Sequence, residues 1–425
     1  MAFFMDLKDN KGFDRNYWAM TFEGAPFMGG ITMLSTNAVV ALFVNTMTGS
    51  KTLVGLAITV QALFFLIGQM LVAPYVASLR NIPGFMLKIM LLRGIPILMA
   101  VPLFLGAGTG LTVVLFLVLY GLFWVSDGIN TMPWGELAAR TLKPELRGHM
   151  MGMQIVFGGG LSLFTGLLLA WLLATPLLTD YHRFGTIFVI SSVILLTSII
   201  FIRMVRDPSP TLDPVKPDFR RYYAGIPAII KSSKPLRQAI IARIPGYIGF
   251  SAITFMVVFG STALDLTDAQ VSWLVYSQIV GNVISGYVLG EASRRFDNKT
   301  VILMSHIGVL ITLCMAVVLT VFPSLGYIWL IVACIFASIC FNSWVGYFNY
   351  FLDIAPTEKR PMFQFIGNCI GIPFSFIGYA LGYMIDSLGY NAVFIFGGVS
   401  AGVTILLSLR LLSRKKINAL QEEEQ

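Results

Sequence analysis

Glu23 and Asp127 are the residues of this chain best placed to do chemistry, because each is a carboxylate set within a long apolar run. A charge in such surroundings costs free energy unless it meets protein or water, so an acid kept there marks an ion pair or an aqueous cavity. Glu23, Phe27, Gly30, Leu34 and Asn37 recur at steps of four and three and share one helical face, with Glu23 about 9 Å along a helix begun at Tyr17. Tyr120, Trp124, Asp127, Thr131 and Trp134 follow the same spacing, which makes an aromatic and acidic face. The chemistry open to both acids is the uptake and release of a proton. The alternative for Glu23 is a structural ion pair, with Arg243 as a candidate partner, and for Asp127 a hydrogen bond within a helix bundle. Asp353 and Glu136 stand nearer the ends of their apolar runs and read as ion-pair or latch residues.

A second group could line a cavity for a small solute: Asn37, Gln61, Trp124, Asn130, Trp134, Tyr247, Tyr276, Gln278, Asn282, Trp344, Tyr347, Tyr350 and Asn368, with Arg243 the one obvious inward base. Any single aromatic among them could equally be a packing residue or an interfacial anchor. His149, His182 and His306 are scattered, and Cys314, Cys334, Cys340 and Cys369 show no C-x-x-C spacing, so neither a metal site nor a disulfide is expected. No nucleophile, base and orienting group fall together, which argues against an enzyme. No P-loop is present and no cofactor is implied; a proton or cation gradient is the candidate energy source.

These residues must be positioned by membrane helices. With 56% hydrophobic and 12% charged residues and a mean hydropathy of +0.80, the chain belongs in a bilayer. Twelve apolar runs can each cross it: 17–46, 52–78, 84–107, 110–139, 148–174, 184–206, 236–262, 268–292, 299–322, 325–353, 361–385 and 391–412. Backbone groups without water to bond must bond each other, so the spans are helices. Only Lys51 and Arg183 among the basic residues fall in odd-numbered connections, so both ends are expected in the cytoplasm of a cell (inner) membrane protein. The net charge of +8 then reflects topology and anionic lipid, with no nucleic acid as partner. The first 16 residues are too polar for a cleavable signal peptide.

The expected organisation is a six-helix bundle over 1–206, a proline-rich cytoplasmic linker over 207–235, and a second six-helix bundle with a cytoplasmic tail over 236–425. Internal similarity supports duplication: Glu23-Gly-Ala-Pro-Phe-Met-Gly resembles Arg243-Ile-Pro-Gly-Tyr-Ile-Gly, and the turn at Pro144 to Arg147 resembles that at Pro356 to Arg360.

Over its full length the chain resembles the major facilitator superfamily. The most specific residues are Gly290-Glu-Ala-Ser-Arg-Arg-Phe-Asp-Asn-Lys299, set against that family's Gly-x-x-x-Asp-Arg-x-Gly-Arg-Lys/Arg gate. Gly290, Arg295 and Lys299 match, whereas Arg294 and Asp297 depart. The Pro-x-x-Arg-Gly turn at 144 to 148 is a second family feature. The resemblance implies an all-α membrane protein with two pseudo-symmetric six-helix bundles. It also implies a cytoplasmic gate, here Arg80, Glu136, Arg147, Gly290, Arg294, Arg295, Lys299, Asp353 and Arg360. Spans three, six, nine and twelve would face lipid, with almost no polar residue in their middle. Drug/proton antiporters of the family carry a Gly-Pro motif in span five and an arginine early in span four, and neither is here.

The reading is a monomeric secondary transporter of a small, amphipathic, neutral or cationic solute, working by alternating access and by proton-coupled export. The rival within transport is cation-coupled uptake of a sugar-like metabolite, since Asp127 with Pro133-Trp-Gly-Glu136-Leu resembles sugar symporters. A lipid flippase or a non-transporting sensor is the alternative of another class.

Overall fold

The computed structural model describes residues 14–175, 177–208, 218–264 and 266–423. Part of the expected linker, 209–217, and the side chain of Asn37 lie outside the described residues. Among the described residues there is helix and connecting backbone but no strand. Nine helical segments among them are long and apolar enough to cross a membrane. The expected first, eighth and eleventh spans are not among the nine: the first and eleventh are broken into shorter helices, and the eighth is more polar. The chain divides into two compact units, Met1–Lys143 with Phe157–Phe219, and Pro144–Val156 with Arg220–Gln425.

The first unit is built from α1 (Arg15–Thr32), α2 (Ala41–Thr48), α3 (Lys51–Val76), α4 (Ile82–Met90), α5 (Ile95–Phe104), α6 (Thr109–Thr141), most of α7 (Pro144–Ala174) and α8 (Asp180–Met204). Asp14 caps α1 by accepting from the Tyr17 N–H at 3.1 Å, and Ser50 caps α3 through the Leu53 N–H at 3.3 Å. The first span breaks into a π-helical turn at Thr36–Val40, which the Tyr120 hydroxyl bridges by a 2.5 Å hydrogen bond to Thr36. Between α4 and α5 a 3-10 turn, Leu91–Gly94, replaces regular helix, because Pro96 has no N–H for the Leu92 carbonyl. Phe43, Phe116, Tyr120 and Phe188 pack ring against ring, in stacked, tilted and edge-on pairs, at centroid distances of 4.6 to 5.5 Å in the apolar core.

The second unit holds the start of α7 together with α9 (Phe219–Ala224), α10 (Ile226–Ser232), α11 (Lys234–Ala263), α12 (Asp268–Arg295), α13 (Asn298–Val321), α14 (Gly326–Phe341), α15 (Ser343–Asp353), α16 (Arg360–Cys369), α17 (Ile377–Ser408) and α18 (Arg414–Glu423). The expected tenth span is interrupted at Asn342, whose side-chain amide donates to the Asn282 Oδ1 at 2.8 Å and to the Ser285 hydroxyl. Gly389, at φ 80° and ψ 170°, interrupts α17 where the eleventh and twelfth spans were expected to meet; a side chain there would be strained. The start of α7 packs on α12 through Gly152, Gly286 and Gly290, which let the two backbones approach.

Glycine also sets the contact of α3 with α6. A Cβ at Gly128 would lie 2.1 Å from the Phe65 carbonyl, and one at Gly55 would meet nothing within 4 Å. Gly128→Ala is therefore expected to cost about 1–3 kcal/mol, read as a lower thermal unfolding midpoint of the purified protein, and Gly55→Ala to leave it unchanged or slightly raised.

Candidate functional site

The two acids singled out in the sequence come together in the first unit around a third charge. Arg93 Nη1 donates to Glu23 Oε1 at 3.0 Å, and Arg93 Nη2 stands 4.0 Å from Asp127 Oδ1. Glu23 is 4%, Arg93 5% and Asp127 9% exposed, so all three charges sit out of water. The Ser198 hydroxyl takes a further N–H of the guanidinium, and the Phe27 ring lies 4.9 Å from its carbon. Phe27 is one turn from Glu23, so α1 offers the cation an acid and a π face from the same side. The Ser192 hydroxyl donates to the Arg93 carbonyl at 2.8 Å, satisfying backbone that the 3-10 turn leaves without a regular partner.

Two expectations change here. The partner of Glu23 is Arg93, which lies on the third span as Glu23 lies on the first, rather than Arg243. The third and ninth spans also carry buried polar groups in their middles, Arg93 and His306, where almost none was expected. The signal for Arg93 was in the sequence: a guanidinium between Leu92 and Gly94 in an apolar run is costly enough to demand a partner.

Of the remaining cavity candidates in the first unit, Trp124 and Asn130 are buried on α6, and Gln61 and Trp134 are half-buried. In the second unit Arg243, Tyr247, Trp344 and Tyr347 surround one cavity. Asn282 holds the break at Asn342, and Gln278 reaches the Cys334 sulfur at 3.9 Å. Tyr350 is turned to another task, its hydroxyl accepting from the Leu412 N–H at 3.0 Å. Tyr276 is exposed beside Trp273, and Asn368 is half-buried in the last turn of α16.

The candidate gate residues form two networks. In the first unit Arg140 binds Glu136 at 2.9 Å, the Leu79 carbonyl at 2.9 Å and Asp207 at 3.8 Å, whereas Arg80 is exposed. In the second, Arg147 Nη2 meets Asp353 Oδ1 at 3.1 Å, and Asn298 donates to the other oxygen of Asp353 at 2.6 Å. Glu291 binds Arg294 at 2.7 Å and also Arg295, with His149 at 3.6 Å. Lys299 donates to the Leu409 carbonyl at 2.7 Å, Gly290 packs on Gly152, and Arg360 opens α16.

Comparison with known proteins puts this arrangement in context. Residues 239–425 match the family model described as Major Facilitator Superfamily. No curated protein matches the chain. Among solved structures, the proton:xylose symporter XylE superposes with a TM-score of 0.74 at 12% identity, covering 95% of this chain and 99% of its own. A bacterial homologue of the iron transporter ferroportin, in an outward-facing state, gives 0.72 at 12% identity, covering 93% and 98%. The E. coli fucose:proton symporter FucP gives 0.70 at 13% identity, covering 94% and 99%. The shared fold and the apolar helices are those of a multi-pass membrane protein. Residues 239–425 are thus similar to the major facilitator superfamily, and along its length the chain shares the fold of these solved structures.

Removing the central cation would leave buried charge without compensation. Arg93→Met is expected to cost about 3–5 kcal/mol of stability, because Glu23 and Asp127 then remain unpaired. Adding Glu23→Gln and Asp127→Asn to the same chain should recover most of that loss. Thermal unfolding of the purified variants checks both, and a triple variant no more stable than Arg93→Met alone would show that the charges do not act as one cluster.

Proposed function

We propose that this protein is a proton-coupled secondary transporter of a small organic solute, and that Glu23, Arg93 and Asp127 are its proton-handling element. One observation carries the reading: two carboxylates face a single guanidinium in a buried site, so the cluster holds one acid more than it can balance internally. Moving an unbalanced charge through an apolar interior is costly, and a bound proton removes it. Protonation would also loosen the hold of Asp127 on Arg93, which gives a local change that a rearrangement of helices can follow.

Alternating access supplies the wider frame. Two compact units, helix breaks at Thr36, Asn342 and Gly371, and glycine-lined helix contacts are the features such a cycle uses. The Arg147 to Asp353 pair would serve as a latch at the cytoplasmic end, with Glu291, Arg294 and Arg295 beside it. Export by exchange for protons is the direction read from the sequence. Uptake by symport is the second reading, and it has in its favour that XylE and FucP, which share the fold, are proton symporters.

Reconstituted into liposomes, the protein should accumulate or expel solute in response to an imposed pH gradient, and the sign of the coupled proton flux separates export from uptake. Glu23→Gln and Asp127→Asn are each expected to abolish uphill movement and leave solute exchange down its own gradient. Uphill transport at the parent rate in both variants would remove the cluster from the coupling mechanism.

A further inference from the structure

The second unit contains a charge of the opposite kind, one that no acid among the described residues balances. Arg243 on α11 has no carboxylate within ion-pair distance among the described residues. Its one hydrogen bond there runs from Nη1 to the Gly367 carbonyl at 2.8 Å, near the C-terminal end of α16. Aromatic faces stand in for a counterion: the guanidinium carbon lies 4.9 Å from the Tyr347 ring, 5.4 Å from Tyr247 and 5.9 Å from Phe351. Beside it is a cavity of about 220 Å³ walled by Gly246, Tyr247, Phe250, His306, Trp344 and Tyr347, with Ser343 completing it.

Two further features point the same way. Ser343 and Trp344 are the first residues of α15, an 11-residue helix, so the cavity meets a helix N-terminus, where backbone N–H groups and the helix dipole favour negative charge. His306, 2% exposed, engages its Nε2 in a 3.0 Å hydrogen bond with the Tyr347 hydroxyl, and its Nδ1 has no partner among the described residues. A guanidinium, a helix N-terminus and an unpartnered imidazole nitrogen around one aromatic-walled cavity make a receptor for an anion with an apolar body.

We propose that this cavity binds the carboxylate end of a small aromatic or amphipathic organic anion, with Arg243 as the residue that holds the charge. The planar fork of the guanidinium suits a carboxylate, and the Gly367 carbonyl and the Tyr347 face keep that fork oriented before the ligand arrives. Tyr247, Phe250 and Trp344 then contact the apolar body. The cavity is below the ~300–1,000 Å³ of drug-sized sites, which limits the ligand to a small molecule. The proposal deepens the transport reading, on which it rests for calling this ligand a substrate. It departs from the neutral or cationic solute expected from the sequence, because the acids behind that expectation are already held by Arg93.

The test is equilibrium titration calorimetry of the full-length protein in phosphatidylcholine nanodiscs, with no pH gradient. The probes are 4-nitrobenzoate, 4-nitrobenzamide and 4-nitrobenzyltrimethylammonium, which share a ring and differ in charge. The benzoate should bind saturably and about tenfold or more tighter than the other two, and Arg243→Gln should remove that preference. Arg243→Lys keeps the charge without the fork and should bind with intermediate affinity, which guards against a folding defect in the first variant. Quenching of tryptophan emission by the benzoate should fall in Trp344→Phe. Absent benzoate heat at millimolar concentration, equal or tighter binding of the neutral or cationic probe, or parent-like benzoate affinity in Arg243→Gln each overturns the proposal. Benzoate binding without gradient-driven flux in liposomes would sink the transport reading and leave the anion site standing.

Discussion

A guanidinium carries its charge into whatever surroundings the fold gives it, and in this protein those surroundings are the apolar interior of a helix bundle. Taking an ion out of water costs several kcal/mol even after the protein relaxes, whereas a single opposite charge at 4 Å returns about 4 kcal/mol at the effective dielectric of a protein. One carboxylate therefore does little more than offset the burial of Arg93. The first unit supplies Glu23 and Phe27 from α1, Asp127 from α6 and Ser198 from α8, so three helices are tied to the turn between α4 and α5. The position of those helices is thus specified by electrostatics as well as by apolar packing, and any variant that shifts one of them disturbs the others.

The two units solve the same problem differently. In the first, a cation is met by acids, and the surplus is negative. In the second, Arg243 is met by a carbonyl and three rings, and among the described residues no acid competes for its remaining N–H groups. Pi faces stabilise a guanidinium less than a carboxylate does, about 0.5–2 kcal/mol at such sites, so the cation is kept available to a stronger partner. The two opposite charges open similar stretches of sequence, Glu23-Gly-Ala-Pro-Phe-Met-Gly and Arg243-Ile-Pro-Gly-Tyr-Ile-Gly.

Hydropathy alone was enough to read a helical membrane protein, because a run of apolar residues long enough to cross hydrocarbon has few other stable forms. The acids at Glu23 and Asp127 were legible for the same reason: ionisable groups in such runs stand out. The cost of burying Arg93 was legible too, but not its pairing, because Glu23 and Asp127 reach it from two other spans and no spacing along one run reports that. The role of Tyr350 was hidden by a contact 62 residues away, with the Leu412 N–H, and no local spacing encodes such a distance. His306 was set aside for lack of a second histidine nearby, although its neighbours in space, Tyr347 and Gly246, come from other helices.

The helix breaks connect these separate points. A regular transmembrane helix satisfies its own backbone and offers a ligand nothing but side chains, whereas a broken one exposes N–H groups at one cut end and carbonyls at the other. Here Ser343 and Trp344, the first residues after the cut at Asn342, line the cavity beside Arg243, and the end of α16 turns the Gly367 carbonyl toward the same guanidinium. The breaks are held in place by Asn282 and Ser285 on α12, and by the hydroxyl of Tyr120 at the matching interruption in the first unit. Unsatisfied backbone would be too costly to keep in an apolar bundle for no return, since each buried unpaired group costs about 1–3 kcal/mol. Asn342 with Asn282 and Ser285, and Thr36 with Tyr120, tie each irregular stretch to a neighbouring helix through side-chain hydrogen bonds, which fixes where the break falls.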